Sequence, residues 1–403
     1  MFSSFTIPDF RIYWIGMFIS MCGTWMQIMA QSWLVFELSH SSFLLGLVGF
    51  VNSLPVFLFS LFSGVLVDRV NKKALLIIAQ VISMCLAFLL AVVTQFNIVT
   101  VNFILLITML NGIVLSLDAP ARQSIIAELV GKKNILNGIA LTSIGFHAAR
   151  MLGPALAGIF IAAISVAGCF YINAVSFLAF IVALLLIKPK VVARNNNNSP
   201  FMEDLKGGVK FILKNKPYLI LIIAMGVVSL FGLSYMILLP VFAKDILGLD
   251  SKGFGLLMSC SGVGSLLGGL VLANLKDPDK RVKFLIIALY MLSFSIIALA
   301  LSDSFIVSAI ILASIGFAIL SSSVIINSVI QTMVPDEFRG RIMSIYVLTF
   351  AGTAPFGSIM AGSLAQVLGV RIAFGIMGLT CFGSFLALTP LMKTTQKPFF
   401  NSL

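Results

Sequence analysis

Twelve apolar stretches follow one another along the chain, each near the ~20 residues a helix needs to cross a bilayer. Their approximate ranges are 11–36, 44–66, 74–95, 100–117, 136–163, 167–187, 218–242, 253–274, 283–302, 305–329, 342–367 and 371–392. The runs are continuous, without the two-residue alternation of a transmembrane barrel, so they predict helices. In hydrocarbon, a helix satisfies its own backbone polar groups. The predicted fold is an all-α polytopic membrane protein with twelve transmembrane helices.

The polar positions between these runs carry a second pattern. With a cytoplasmic N-terminus, 22 of the 26 lysines and arginines fall in inside-facing segments. Lys244, Lys252 and Arg371 face out, and Arg150 lies within a span. That asymmetry is what the positive-inside rule requires, so both termini are expected in the cytoplasm. The first span is too long for a signal-peptide core and is read as a retained helix.

The chain divides into two halves, 1–187 and 218–403, each with six spans, joined by a cytoplasmic linker over 188–217. Asn195–Asn198 followed by Ser-Pro reads as structureless. After it, Phe201, Leu205, Val209 and Ile212 recur at helical spacing, with Lys206, Lys210 and Lys214 on another face. That pattern suits an amphipathic helix on the membrane surface or a solvated connector. The halves read as repeats. At an offset of 209, Gly46 aligns with Gly255, Asp68 with Asp277 and Lys72 with Arg281. At an offset of 204, Val130 aligns with Val334, Gly153 with Gly357, and Ala157-Gly158 with Ala361-Gly362. Two pseudo-symmetric six-helix bundles that rock around a midplane site are expected. Ala149xxxGly153xxxAla157 and Gly264xxxGly268 add small-residue spacing that lets helices approach closely.

Composition agrees: 60% hydrophobic and 10% charged residues exclude a water-soluble globular class. The net charge of +12 sits in short loops, where it balances anionic lipid, so no nucleic-acid partner is expected. Cys22, Cys85, Cys169, Cys260 and Cys381 fall singly in five spans, which indicates neither a disulfide framework nor a metal site. No cofactor is expected.

The loop after the second span reads Gly64-Val-Leu-Val-Asp68-Arg69-Val-Asn71-Lys72-Lys73. It resembles the loop motif of the major facilitator superfamily, Gly-x-Leu-x-Asp-Arg-x-Gly-Arg-Lys. Asn71 replaces the second glycine and is expected to tolerate a left-handed turn. The resemblance implies that Asp68 faces a helix end in the other half and that Arg69 pairs with an acid near span four, Asp118 or Glu128. Such contacts would latch one conformation. Span five carries Arg150-Met-Leu-Gly153-Pro154, similar to the Gly-Pro motif of superfamily exporters.

A narrower resemblance covers nearly the whole chain. It rests on Phe10-Arg11 with Trp14, Gly23-Thr-Trp-Met-Gln27, Asp118-Ala-Pro-Ala-Arg122-Gln123 and Val334-Pro-Asp-Glu-Phe-Arg-Gly-Arg341. These are similar to the bacterial branch that includes the enterobactin exporter, transmembrane secretion effectors and macrolide-efflux-like proteins. That branch implies a bacterial inner membrane and a secondary active, ion-gradient (proton) driven exporter. The expected partners are a small organic substrate, such as a siderophore, drug or amphipathic metabolite, a proton or other coupling ion, and membrane lipid. The chain is expected to act as a monomer.

Polar residues at membrane depth supply candidate sites. Ser20, Thr24, Gln27 and Gln31 share one face of span one. The superfamily lines its cavity with spans one, four, seven and ten, so Thr24, Gln27 and Gln31 are candidate substrate contacts, with Asn111 and Asn327 beside them. Interhelical hydrogen bonding is the alternative for each. His147 and Arg150, three apart on span five, share a face. Arg150 either reaches the cavity or is held by an acid or carbonyls at the interface of the halves. His147 and Asp118 are the possible coupling residues. On these boundaries no Asp or Glu lies mid-span, which favours neutral or anionic over cationic cargo.

Other classes fare worse. There is no GxxxxGK followed by Ser or Thr for an ATP-driven pump. His40 and His147 alone supply no catalytic set for a membrane enzyme. A lipid flippase remains the alternative transport reading.

Overall fold

The computed structural model describes residues 3–189, 201–273, 275 and 277–394. Side chains at 60–62, 64–66, 68, 69, 132, 201–206, 278, 279, 336, 337, 393 and 394 lie outside that description. All regular elements among the described residues are helical. The first six spans are α1 (Pro8–Ser39), α2 (Ser42–Arg69), α3 (Lys72–Gln95), α4 (Val101–Gly131), α5 (Lys133–Ala163) and α6 (Val166–Leu186). The linker contributes α7 (Phe201–Lys214), and its Asn195–Asn198 stretch lies outside the described residues. The last six spans are α8 (Lys216–Ile246), α9 (Ser251–Ala273), α10 (Pro278–Leu301), α11 (Phe305–Met333), α12 (Asp336–Leu368) and α13 (Val370–Thr394).

Side-chain caps set several helix starts. Ser41, Asn71, Thr100 and Ser165 each accept a hydrogen bond from a backbone N–H three residues on, satisfying a donor that the helix leaves free. Asn71 does this at φ −70°, so its place in the loop motif depends on its side-chain oxygen, not on the left-handed conformation expected of it. Gly131 breaks α4 from α5 at φ 70° and ψ 170°, in open space, a backbone setting that a side chain resists.

Span four runs well past the hydropathy drop at residue 117, because the helix continues through Pro120 to Gly131. Asp118 is therefore buried inside α4, only 6% exposed. This corrects the expectation that no acid lies within a span.

One end of the bundle carries the described chain ends and is called the near end; the opposite end is the far end. The halves meet along two seams, α2 against α12 and α5 against α9. A Cβ on Gly46 would stand 2.7 Å from the Ser358 carbonyl oxygen and 2.9 Å from Gly362 Cα. A Cβ on Gly255 would meet the Pro154 carbonyl oxygen and stand 3.2 Å from Gly158 Cα. Likewise, the Ser42 carbonyl crowds Gly362 and the Ser251 carbonyl crowds Gly158. Residues 42, 46, 358 and 362 correspond to 251, 255, 154 and 158 under the sequence offsets, so the two seams are one contact built twice.

Polar contacts reinforce the far end. Ser41 Oγ donates to Gln366 Oε1 at 2.8 Å, and Lys244 lies 3.7 Å from Glu37. Trp33 stacks on Phe254 at 5.6 Å between centroids. Arg150 with Ser261 and Met236, Lys244 with Glu37, and Gln366 with Ser41 and Phe43 all join the halves at mid-depth or toward the far end.

Candidate functional site

Arg150 occupies the innermost polar link described between the halves. It sits near the middle of α5, where Pro154 four residues on has no N–H to return to the Arg150 carbonyl. The close approach of α5 to α1 depends on Gly153, where a Cβ would stand 2.6 Å from Trp25 Cβ and 2.8 Å from the Cys22 carbonyl oxygen. That approach lays the guanidinium over the Trp25 ring, 5.5 Å from its centroid. Across the interface, Arg150 Nη2 donates to Ser261 Oγ at 3.2 Å and approaches Met236 Sδ at 3.4 Å.

The partners come from two elements with distinct local causes. Span seven is interrupted by a π-helical turn over Val228–Gly232, and Tyr235 and Met236 open the helix that follows it. Such turns re-aim side chains relative to a regular helix. Tyr235 is fully buried, and its hydroxyl lies 2.6 Å from Ser261 Oγ. Ser261 is carried to Arg150 because Gly262 lets α9 ride against the Met151 backbone.

Arg150 is 7% exposed. Among the described residues no carboxylate pairs with it. A guanidinium cannot lose its charge, so this is a buried cation without an anion. The interface alternative for Arg150, an acid or carbonyl partner, is filled instead by a hydroxyl, a thioether and an indole face. His147, one turn earlier, packs edge-on to Phe146 and leaves Nδ1 buried without a partner.

The amides of span one lie elsewhere. Gln27 Oε1 accepts from Asn173 Nδ2 of α6 at 2.6 Å, and Gln31 Nε2 donates to Thr108 Oγ1 of α4 at 2.9 Å. Both contacts stay within the first half. Two residues along a helix is nearly half a turn, so Gln27 points away from Trp25, and Gln31 away from Trp33. Thr24 Oγ1 donates back to the Ser20 carbonyl. Asn111 accepts from Ser83 of α3, and Asn327 accepts from Gln331 one turn on. Each of these residues makes an interhelical or local hydrogen bond, and unmade amide hydrogen bonds at membrane depth are costly.

The motif residues gather at the near end of the first half. Lys72 Nζ pairs with Glu128 at 2.5 Å, and Lys73 Nζ donates to the Leu185 and Ile187 carbonyls at the C-terminus of α6. A cation there satisfies orphan carbonyls and complements the helix dipole. Asp118 accepts from Arg122 Nε at 2.5 Å and from Gln80 Nε2 at 2.8 Å. Arg122 lies 4.4 Å from the centroid of the Phe180 ring, while its Nη1 and the Tyr13 hydroxyl are buried without partners. Asp118 and Glu128, put forward for Arg69, thus pair with Arg122 and Lys72. The side chains of Gly64, Asp68 and Arg69 lie outside the described residues.

Sequence reasoning missed Trp25, Tyr235, Met236 and Ser261. The available signals were weak: a tyrosine after Gly232 in span seven, and the run Ser259-Cys-Ser261-Gly-Val-Gly-Ser265 in span eight. No group of three or more His, Cys, Asp or Glu that could hold a metal occurs among the described residues.

Comparison with known proteins gives a consistent result. A family model described as transmembrane secretion effector matches residues 1–397. The staphyloferrin A transporter of Staphylococcus aureus is 25% identical over 92% of this chain and 93% of that protein. Macrolide efflux protein A of Streptococcus pyogenes is 21% identical over 92% of each. The enterobactin exporter EntS of Salmonella typhi is 22% identical over 90% of this chain and 87% of its own. Among solved structures, the nucleoside transporter NupG superposes with a TM-score of 0.77 at 14% identity, covering 95% of this chain and 99% of that one, a likeness of fold alone.

Proposed function

The chain belongs to the transmembrane secretion effector family of the major facilitator superfamily, and from that membership we propose that it exports a small organic molecule by alternating access. It is a multi-pass protein of the bacterial inner membrane and a transporter, not an enzyme. In the proposed orientation the near end is cytoplasmic, so the described state is sealed toward the outside. The observation that carries the reading is the pair of equivalent seams at the far end, Gly46 with Gly362 and Gly255 with Gly158. Two copies of one contact at the same end are what a rocking pair of repeats needs in order to open there and close at the other.

Efflux is favoured over uptake because relatives of nearly full length are named for efflux or export. A siderophore or amphipathic metabolite is the proposed cargo class, and a proton gradient the proposed drive, with Asp118 and His147 as coupling candidates. Asp118 already neutralises Arg122, so proton uptake there would loosen a buried pair. Gly64, Asp68 and Arg69, with Lys72 and Lys73, are proposed to latch the near end in the opposite state.

Cross-linking tests the cycle. Cysteines at Ser42 and Gln366, joined by a short bifunctional reagent, should abolish efflux from energised cells and release it on cleavage of the link. Undiminished efflux with the halves covalently joined there would overturn alternating access through this seam.

A further inference from the structure

Resting on the export reading, we infer that Arg150, Ser261 and Tyr235 form a binding site for a carboxylate of an anionic cargo, at the innermost described polar link between the halves. Three features of the site point to an oxyanion. The first is the uncompensated guanidinium: Arg150 is buried, and among the described residues no acid reaches it. Its hydrogen bonds use Nη2 alone. Nε and Nη1 donate to no described group, and neither is among the fully buried unpartnered atoms. The guanidinium therefore keeps N–H donors beyond those spent on Ser261 and Met236, each able to give an oxyanion a charge-assisted hydrogen bond.

The second feature is a spare proton. Tyr235 and Ser261 hydroxyls share one hydrogen bond at 2.6 Å, in which only one of their two protons is used. Ser261 Oγ also accepts from Arg150, which consumes a lone pair and no hydroxyl proton. One O–H donor of the pair is therefore left for a third acceptor beside the guanidinium. The third feature is His147, whose unpartnered Nδ1 sits one turn from Arg150 on α5 and would donate to an oxyanion in its Nδ1–H tautomer. Arg150 and the hydroxyl pair hold more donors than the acceptors around them use. Its location matters as well, because Arg150 belongs to one half while Ser261 and Tyr235 belong to the other. An anion bound there touches both halves, and separating them breaks the site.

A cationic cargo is disfavoured by the unpaired guanidinium. A neutral one would accept hydrogen bonds without repaying the buried charge.

The test uses the full chain in lipid nanodiscs with citrate, its neutral triethyl ester, and choline as probes. Because Trp25 stacks on Arg150, intrinsic tryptophan fluorescence reports binding without any gradient. Wild type should bind citrate saturably and choline not at all. Arg150→Gln should weaken citrate at least about tenfold, the loss of a charge-assisted contact, and leave the ester unchanged. Arg150→Lys should fall between. If Arg150→Gln does not fold, Ser261→Ala is the second variant, and a loss of citrate affinity of several-fold is expected from its missing hydroxyl. The inference is overturned by a wild type that ignores citrate, by folded variants that bind citrate as wild type does, or by equal loss of citrate and ester. Arg150-dependent binding in a protein that exports nothing from loaded vesicles would uphold the site and sink the export reading instead.

Discussion

Gly46 of α2 and Gly362 of α12 lie so close that a Cβ on either would come within 2.9 Å of the other's Cα. Their counterparts in the repeat, Gly255 of α9 and Gly158 of α5, approach similarly on the other seam, where a Cβ on Gly255 would stand 3.2 Å from Gly158 Cα. A backbone approach of this kind needs the absence of side chains on both helices. It also means that the closed far end rests on two equivalent contacts, so either one is a point at which closure can be weakened.

Gly46→Val and Gly255→Val should therefore act alike. Overpacking a tight site costs about 1–3 kcal/mol, and here the cost falls only on the state in which the seam is closed. Each variant should shift the population toward a far-end-open state by roughly tenfold, at 1.36 kcal/mol per decade. The check is labelling of a cysteine at Ser42 by a membrane-impermeant maleimide, which should speed up equally in both. A large effect at one glycine with none at the other would contradict the equivalence of the seams.

Lys72 and Glu128 should behave as a coupled pair. Their side chains are 19% and 15% exposed, between the surface and buried cases. Losing either partner should cost about 1–2 kcal/mol, intermediate between those limits. Thermal unfolding of Lys72→Met, Glu128→Gln and the double variant gives the coupling directly. Additive losses would show that the two charges do not interact. Lys73→Ala should cost less, about 0.3–1 kcal/mol for a cation at a helix C-terminus.

The fold was legible in the sequence because membrane helices announce themselves by length and hydropathy, and because the repeat left matched glycines at fixed offsets. Gly46/Gly255 and Gly158/Gly362 were visible as matches. What remained hidden was that each match is half of a contact with the other. Gln27 and Gln31 are ambiguous in sequence, since an amide facing Asn173 or Thr108 reads like one facing cargo. Asp118 looked peripheral because the apolar run ends there while the helix continues. Tyr235 and Ser261 carried only a weak signal, because hydroxyls are common in membrane helices and a π-helical turn alters which face Tyr235 occupies.

Orientation has its own test. Asn97, in the turn between α3 and α4, is exposed at the far end with φ 57°, and Asn71 is exposed at the near end. With the termini in the cytoplasm, cysteine at 97 should react with an impermeant maleimide added to intact cells. Cysteine at 71 should react only after permeabilisation. The reverse pattern would invert the proposed topology.

Asp118 and Arg122 give the largest expected loss of stability. Their side chains are 8% and 13% exposed, and the pair is wrapped by Gln80, Phe180 and Tyr13. Asp118→Ala strands a guanidinium that already has one buried unpartnered nitrogen. Removing one partner of a buried pair costs about 3–5 kcal/mol, so this variant should express poorly and unfold at markedly lower temperature. Removing both charges is a different experiment. Asp118→Leu with Arg122→Met replaces the pair by apolar groups of similar volume, which is often neutral or stabilising, and should recover much of the lost stability. If the recovered double variant also exports at the wild-type rate and with unchanged pH dependence, Asp118 has no part in proton coupling. If it folds normally but loses the dependence on the proton gradient, Asp118 is where the proton enters the cycle.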